Sequence, residues 1–270
     1  MKKISIIGFG AITHMLLNRL NEHDPEKRVV IDYIMVRKDR LSTAKRELAD
    51  KIKVSSSINL LIQNKPDLIV ECAGQNAVKE YGPKILRSGI NFMIISTGAL
   101  VDKKFYDDLI FTAKEKNSKI IIPSGAIAGI DGLGSLKKGG LKNVRYISTK
   151  PPIAWRGTPA EKNFDLDNIK KPTSLFKGTA SKAAELFPKN ANLAATVALA
   201  GVGMQKTEVE LVADPTVSPN NIGSIQAEGE FGSLKIECRS LPAPNNPKTS
   251  ASTALSLTYA ILKNQETLVI

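Results

Sequence analysis

Residues 2–13 read Lys-Lys-Ile-Ser-Ile-Ile-Gly-Phe-Gly-Ala-Ile-Thr, and this stretch decides the fold. An apolar, β-branched run that stops at Gly8 and Gly10 and passes into a helical pattern is typical of the first strand, turn and helix of a dinucleotide-binding unit. Gly8 permits a sharp turn, and Gly10 has no side chain to keep the backbone away from a pyrophosphate. The helix that begins at Ala11 and Ile12 would direct its N-terminal N–H groups toward the phosphates.

The usual third glycine of this motif is replaced by Thr13, so the pattern is GxGxxT. A bare GxG also occurs at ordinary strand-to-helix turns, which is the alternative interpretation. The position of Gly8 and Gly10 after an N-terminal strand and before a helical pattern favours cofactor binding.

The composition is that of a soluble globular protein. The chain has 270 residues, 42% of them hydrophobic and 24% charged, which allows one or two domains. No apolar run is long enough to cross a bilayer, and the first glycines come too early for a signal peptide, so we predict a cytoplasmic protein without membrane contact. Cys72 and Cys238 are too few for a disulfide framework and lack metal-ligand spacing, so we expect reduced thiols and no metal site.

Basic residues outnumber acidic ones, 38 − 26 = +12. They are scattered along the chain, and aromatic residues make up only 5% of it, so the sequence does not predict nucleic-acid binding. A positive field that attracts an anionic cofactor and substrate is one explanation, and a solvated basic surface is the simpler one.

The second predicted strand, about residues 28–35, bears on the choice of cofactor. An acidic residue after this strand would bind the ribose 2′-hydroxyl, but the chain continues Val36-Arg37-Lys38. Two cations suit a 2′-phosphate, so we expect NAD or NADP, with a slight preference for NADP. Alternatively, Arg37 stacks on the adenine and either cofactor binds.

The strand-and-helix unit then repeats. Predicted strands over 67–72, 91–96 and 119–123 alternate with predicted helices over 76–87 and 103–115. This alternation indicates an α/β fold with a doubly wound parallel sheet, whose ligands bind beyond the carboxyl ends of the strands. The small residues at those ends are therefore predicted to contact the cofactor, namely Ala73, Gly74, Thr97 and Gly98.

The pattern changes after residue 128. We therefore predict a dinucleotide-binding Rossmann domain over 1–128 and a smaller α+β domain for substrate binding and dimerisation over 129–246, while a last helix, within 247–270, packs back on the first domain. The second region contains predicted helices at 129–136, 180–186 and 192–200, predicted strands at 144–149, 207–213, 224–230 and 233–238, and an irregular stretch at 155–177. Alternation along the later strands favours an antiparallel sheet with one covered face.

Five motifs, in order along nearly the whole chain, resemble the L-aspartate dehydrogenase family. They are Gly8-Phe9-Gly10-Ala11-Ile12, Glu71-Cys72-Ala73-Gly74-Gln75-Asn76-Ala77-Val78, Ser124-Gly125-Ala126-Ile127-Ala128-Gly129-Ile130-Asp131, Phe187-Pro188-Lys189-Asn190-Ala191-Asn192-Leu193-Ala194-Ala195-Thr196 and Asn246-Pro247-Lys248-Thr249-Ser250. The resemblance implies a homodimer that interconverts L-aspartate with iminosuccinate, or oxaloacetate plus ammonia, using NAD(P), and that can serve NAD biosynthesis.

The same matching implies contact with the cofactor for two residues, and the predicted start of the last helix adds two candidates for binding the substrate. Ala126 and Asn192 correspond to positions that contact the nicotinamide cofactor. Asn192, Lys248 and Thr249 are predicted to bind the substrate. Lys248 and Thr249 would begin the last helix, where a cation, a hydroxyl and the helix N-terminus could hold a dicarboxylate.

One position departs from the family pattern. The family carries a catalytic histidine in a segment resembling Asn-x-His-Glu-Ile, and here Gly223 stands in its place. An imidazole suits the proton transfers of imine hydrolysis, so its loss leaves the catalytic group unassigned, with Glu228, Ser224 and Lys248 as candidates. The alternatives are a related amine, imine or carbonyl oxidoreductase with a changed substrate, and a cofactor-binding homologue with impaired catalysis.

Overall fold

A computed structural model describes residues 1–49, 51–188, 190–244 and 246–269, and within these ranges the side chains of residues 246–248 are outside the description. The chain forms two compact units. The first comprises Met1–Pro123 with Ala254–Ile270, and the second comprises Ser124–Thr253. The division thus falls after Pro123, whereas the sequence pattern places it after residue 128.

The first unit contains a six-stranded sheet in the order β3-β2-β1-β4-β5-β6, in which neighbouring strands are parallel. Its strands are β1 Lys2–Ile7, β2 Val29–Met35, β3 Lys53–Ser55, β4 Leu68–Glu71, β5 Asn91–Ile94 and β6 Ile120–Ile121. The doubly wound parallel sheet predicted from the sequence is therefore confirmed. Strand β3 is short and was not evident in the sequence pattern.

Helices connect these strands. They are α1 Ala11–His23, α2 Leu41–Leu48, α3 Ile58–Gln63, α4 Gln75–Arg87 and α5 Lys103–Glu115. Ile4 and Ile6 of β1 are fully buried together with Leu16 of α1, and Leu257 and Ile261 from the end of the chain belong to the same hydrophobic cluster. Residues 4–7 of β1 are all buried, Ser5 included, because helices cover both faces of such a sheet.

The second unit is built on a five-stranded sheet in the order β11-β10-β7-β9-β8. Its strands are β7 Leu141–Lys150, β8 Thr173–Thr179, β9 Glu208–Ala213, β10 Asn221–Gly229 and β11 Gly232–Ser240. Strands β7 and β9 are parallel and the other neighbours are antiparallel, so the sheet is mixed, whereas the alternation along the later strands favoured an antiparallel sheet. Strand β8 begins within the stretch 155–177, which was predicted to be a loop or irregular strands, and ends two residues beyond it.

The described part of this unit also contains the α-helices α6 Ile130–Lys138, α7 Ala160–Asn163, α8 Ala180–Leu186 and α9 Asn192–Ala200. Along β7, Val144, Tyr146, Ser148 and Lys150 are buried, while the residues between them are half-exposed. Since side chains alternate along a strand, one face of the sheet is covered, and we call it the inner face.

The segment before the last helix differs from its prediction. Strands β12 Pro242–Ala243 and β13 Asn246–Ser250 form a two-stranded antiparallel sheet, and helix α10 runs over Ser252–Leu262. The prediction that Lys248 and Thr249 begin a helix was therefore wrong. Three prolines within residues 242–247 favour extended backbone, because proline restricts both itself and the residue before it.

None of the helices in the described part of the chain is both long enough and apolar enough to cross a membrane.

Candidate active site

The carboxyl ends of four parallel strands lie in one row of the first unit. Ile7 of β1 is paired with Met35 of β2 on one side and with Glu71 of β4 on the other, and Glu71 is paired with Ile94 of β5. The segments that follow these residues therefore leave the sheet at the same edge. This is the edge where ligands bind in open α/β sheets.

The turn after β1 requires glycine. Gly8 has φ +102°, and a β-carbon there would lie 2.6 Å from the carbonyl oxygen of Cys72. The Thr13 hydroxyl, which is fully buried, donates a hydrogen bond to the Gly8 carbonyl oxygen at 3.0 Å. Thr13 thus ties helix α1 to the turn, a role that the GxGxxT pattern alone did not reveal.

Two further glycines border open space. A β-carbon at Gly10, the residue before α1, or at Gly74, the residue before α4, would meet no described atom within 4 Å. The backbone at both helix starts is therefore accessible to a ligand, as a bound pyrophosphate requires. Ala11 is half-buried, whereas the Ile12 side chain lies in the hydrophobic core, so Ile12 can contribute only its backbone to such a site.

A buried carboxylate organises the neighbouring loops. One oxygen of Glu71 accepts hydrogen bonds from the backbone N–H groups of Ala73 at 2.7 Å and Gly74 at 2.6 Å, and from the Ser96 hydroxyl at 2.9 Å. Its other oxygen accepts one from the Ser96 backbone N–H at 3.1 Å. Burial raises the pKa of Glu71, and these donors oppose that shift. Sequence reasoning placed Glu71 at a strand end but assigned it no role.

The predicted cofactor residues around Glu71 differ in exposure. Ala73 is exposed and Gly74 is half-buried, whereas Thr97 and Gly98 are buried at the start of a 3-10 helix, Thr97–Val101. The structure brings all four to the same sheet edge as Gly8, because β1, β4 and β5 are neighbours.

Arg37 follows strand β2 at this edge. Its side chain is 82% exposed, and its guanidinium lies 3.8 Å from the Asp39 carboxylate. Arg37 is therefore an accessible cation with an acidic neighbour two residues further along the chain.

The second unit contains the remaining predicted residues. Ala126 is buried, and Asn192 is half-buried as the first residue of α9. A β-carbon at Gly125 would lie 2.8 Å from Leu193, so the loop that carries Ala126 packs against the first turn of α9. Thr249 is half-buried on β13, and the Lys248 side chain lies outside the described residues.

Gly223 lies on the inner face of the second sheet. It is paired with Ser148 of β7 and Cys238 of β11, and a β-carbon there would lie 3.1 Å from Ile127 and 3.4 Å from the Tyr146 hydroxyl. Burial raises the pKa of Tyr146, which shares a side-chain hydrogen bond with Ser148. The space beside Gly223 is thus narrow and bordered by a phenol.

Two candidate substitutes for the family histidine, Ser224 and Glu228, do not lie on the same face of the sheet as Gly223. Ser224 and Glu228 alternate with it along β10, so they belong to the opposite face of the sheet. Glu228 is exposed near the end of the strand, where it lines an open pocket of about 710 Å³ with Arg145, Lys206 and Lys235. The structure therefore separates both residues from the position where the resemblance places the catalytic group.

Lys150, at the end of β7, is a residue that sequence reasoning missed. Its side chain belongs to the inner face, it is 8% exposed, and burial lowers its pKa to about 8. Its place in the alternating pattern of β7, two residues after Ser148, was the available signal.

Comparison with known proteins agrees with this architecture. Residues 8–123 match the family model described as the NAD binding domain of homoserine dehydrogenase, and residues 131–264 match the model described as the C-terminal domain of aspartate dehydrogenase. The fold, the glycine turn and these matches define an NAD(P)-dependent oxidoreductase.

The relatives identify the family. An L-aspartate dehydrogenase of Acinetobacter baumannii is 42% identical over 270 residues, which is 100% of both chains, and one of Psychrobacter cryohalolentis is 43% identical over 256 residues, 95% of both. The crystal structure of an aspartate dehydrogenase from Thermotoga maritima covers 100% of this chain and 99% of its own, with 27% identity and a TM-score of 0.75. The chain belongs to the L-aspartate dehydrogenase family, which confirms the resemblance inferred from the motifs.

Proposed function

We propose that this protein catalyses the NAD(P)-dependent interconversion of L-aspartate with iminosuccinate, or with oxaloacetate plus ammonia. The observation that carries the proposal is the match to L-aspartate dehydrogenases along the full chain. The glycine turn supports it, because the open backbone at Gly10 and Gly74 has room for the phosphates of a dinucleotide.

In this proposal the backbone around Gly8, Gly10, Ala11 and Ile12 binds the pyrophosphate. Ala73, Gly74, Thr97 and Gly98 would border the nicotinamide half, and Ala126 and Asn192 are the other residues proposed to contact the cofactor. The cofactor supplies the chemistry of hydride transfer. The chain's part is to orient the substrate carbon, exclude water and hold the carboxylates.

We infer a slight preference for NADP. An exposed guanidinium at the end of β2 suits a 2′-phosphate, and Arg37 has that placement. Asp39 competes for the same guanidinium, which is why the inferred preference is small.

The family resemblance also supports a homodimer, with the second unit as the dimerisation and substrate domain. We propose a cytoplasmic enzyme whose partner is a small amino, imino or keto acid, without nucleic-acid or membrane binding. Gel filtration with light scattering tests the dimer, and the expected mass is about twice the 29.2 kDa of one chain.

The function is tested by oxidation of NADH and NADPH with oxaloacetate and ammonium, and by the reverse reaction with L-aspartate. We expect turnover above about 1 s⁻¹, which is within the ordinary enzyme range. Cofactor binding without turnover would contradict the proposal.

A second candidate is a related oxidoreductase acting on another amine, imine or carbonyl. The observation that favours it is the narrow space between Gly223, Ile127 and Tyr146 at the position of the family histidine. A panel of amino and keto acids, measured with both cofactors, separates the two candidates by the substrate with the highest kcat/KM.

A further inference from the structure

Lys150 is a buried cation. Among the residues whose burial the structure describes, it is the only lysine or arginine in the core of either unit. Lysine is almost never buried without a partner or a function, because removing its charge from water is costly. The side chains that surround Lys150 therefore indicate what this position can bind.

Polar side chains accompany Lys150 on the inner face. Thr149 is paired with Ile222, so Lys150 and Asn221 follow on the adjacent strands, and both belong to the inner face. Ser148 is two residues along β7 from Lys150 and is paired with Gly223. Asn221 and Ser148 are buried as well. This group of a cation, an amide and a hydroxyl can bind a carboxylate.

An aromatic side chain supports the ammonium group. Lys150 Nζ lies 5.8 Å from the ring centroid of Trp155, which is fully buried and donates a hydrogen bond from its indole N–H to the Val212 carbonyl oxygen at 3.1 Å. The rings of Trp155 and Phe187 pack in a T-shaped arrangement, with centroids 6.2 Å apart and planes at 88°. These contacts hold the lysine against a rigid surface.

Phe187 connects this surface to the loop before α9. Its carbonyl oxygen accepts hydrogen bonds from the N–H groups of Asn190 at 2.9 Å and Ala191 at 3.1 Å, immediately before Asn192. The Asn190 side-chain amide is buried, and its two polar atoms find no hydrogen-bond partner among the described residues. An unsatisfied buried amide costs free energy, and a polar ligand could supply the missing partner.

The loop predicted to contact the cofactor reaches the same inner face. Ile127 borders Gly223, and the Ala128 N–H donates to Cys238 Sγ at 3.2 Å. Within the second unit, the loop that carries Ala126 is thus placed over the strands that carry Ser148 and Asn221.

We propose that Lys150, with Asn221 and Ser148 beside it, binds one carboxylate of a dicarboxylate substrate. This inference rests on the proposed function, because a dicarboxylate such as aspartate or oxaloacetate brings two anionic groups that need partners once water is excluded. The ammonium group supplies the charge, and the amide and hydroxyl supply hydrogen bonds.

Steady-state kinetics of Lys150→Met and Lys150→Arg test this site. Removing one partner of a buried charge pair is costly, so we expect the KM for oxaloacetate to rise at least about 30-fold in Lys150→Met. The dissociation constant of the reduced cofactor, measured by fluorescence, should stay within about twofold of the wild type. Lys150→Arg keeps the positive charge, so its KM for oxaloacetate should rise less than that of Lys150→Met. The matched control is Lys177→Met, since Lys177 is an exposed lysine of the same sheet, paired with Glu210.

A binding measurement separates this inference from the proposed function. L-malate, a dicarboxylate, is titrated calorimetrically into the complex of each variant with reduced cofactor, and thermal unfolding checks that each variant is folded. If L-malate binding depends on Lys150 but the protein does not turn over aspartate, the result would support the site and contradict the proposed function. Equal malate affinity in wild type and Lys150→Met, or a fall in kcat with unchanged KM, would overturn the site.

Discussion

The carboxylate of Glu71 accepts hydrogen bonds from both the backbone N–H and the hydroxyl of Ser96, at 3.1 and 2.9 Å. Glu71 ends β4 and Ser96 follows β5, so this contact joins the loops of two adjacent strands. The same carboxylate accepts from Ala73 and Gly74. Because the three backbone N–H groups can only donate, both oxygens of Glu71 serve as acceptors.

Replacing Glu71 with Gln should therefore weaken cofactor binding. In either orientation, the amide NH₂ group of Gln would face a backbone N–H donor, and an unsatisfied buried donor costs about 1–3 kcal/mol. We expect the dissociation constant of NADH to rise about tenfold, as measured by fluorescence titration.

Asp24→Asn is the control for Glu71→Gln. Asp24 is also a buried carboxylate, which accepts from the Val29 N–H at 2.8 Å and from Arg28 Nε at 3.0 Å, but it lies before the amino end of β2. This variant should lower the melting temperature and leave the affinity for NADH within about twofold of the wild type. Equal loss of affinity in both variants would mean that Glu71 acts only through overall stability.

Lys150 should make stability depend on pH in the alkaline range. Burial lowers its pKa to about 8 in the folded state, against 10.5 for the ordinary side chain, so between these values the unfolded chain binds more protons. The free energy of unfolding should therefore rise as the pH increases from 8 to 10.5. Each pKa unit corresponds to 1.36 kcal/mol, so the contribution is about 3 kcal/mol.

Urea unfolding at several pH values measures this contribution. The free energy of unfolding of Lys150→Met should exceed that of the wild type most at pH 8 and below. This difference should shrink by about 3 kcal/mol toward pH 10.5. Other alkaline titrations, including that of Tyr146, are shared by both proteins and cancel in the difference. A constant difference across this range would contradict the lowered pKa.

A histidine at Gly223 should increase turnover only when space is made for it. A β-carbon there would already lie 3.1 Å from Ile127 and 3.4 Å from the Tyr146 hydroxyl, so Gly223→His alone overpacks the site, at a cost of about 1–3 kcal/mol. In an Ile127→Ala background we expect kcat with L-aspartate to rise at least tenfold, because a positioned acid–base group contributes about 10²–10⁴-fold. The control is Gly223→Ala in the same background. If kcat does not exceed that of the control, the lack of a proton carrier does not limit the reaction.

Arg37→Ala should reduce affinity for NADPH more than affinity for NADH. A hydrogen bond to a charged group contributes about 1.5–3 kcal/mol, which corresponds to about tenfold or more for NADPH. Arg40→Ala is the matched control, since Arg40 is a nearby exposed arginine. Equal changes in affinity for the two cofactors would show that Arg37 does not recognise the 2′-phosphate.

Local patterns in the sequence predicted much of the fold. The helices over 103–115, 180–186 and 192–200 have the bounds expected from the sequence, because the residues that favour a helix and those that end it lie within or next to the segment itself. The parallel β7 and β9 pair and the short strand β3 were not predicted. Pairing direction depends on residues far apart in the chain, and a strand of three residues carries too short a pattern.

The sequence by itself determined the Rossmann unit, the family and the glycine turn, because the turn at Gly8-Phe9-Gly10 depends on local backbone geometry and each later motif is a short run of neighbouring residues. Only the tertiary structure decided that Glu71 bridges two loops, that Lys150 is buried above Trp155, and that Tyr146 borders Gly223. These relationships arise from strand order and register, which bring together residues separated by tens of positions. Burial then changes the pKa values of these residues, because the stability of a charge removed from water depends on the few groups that surround it.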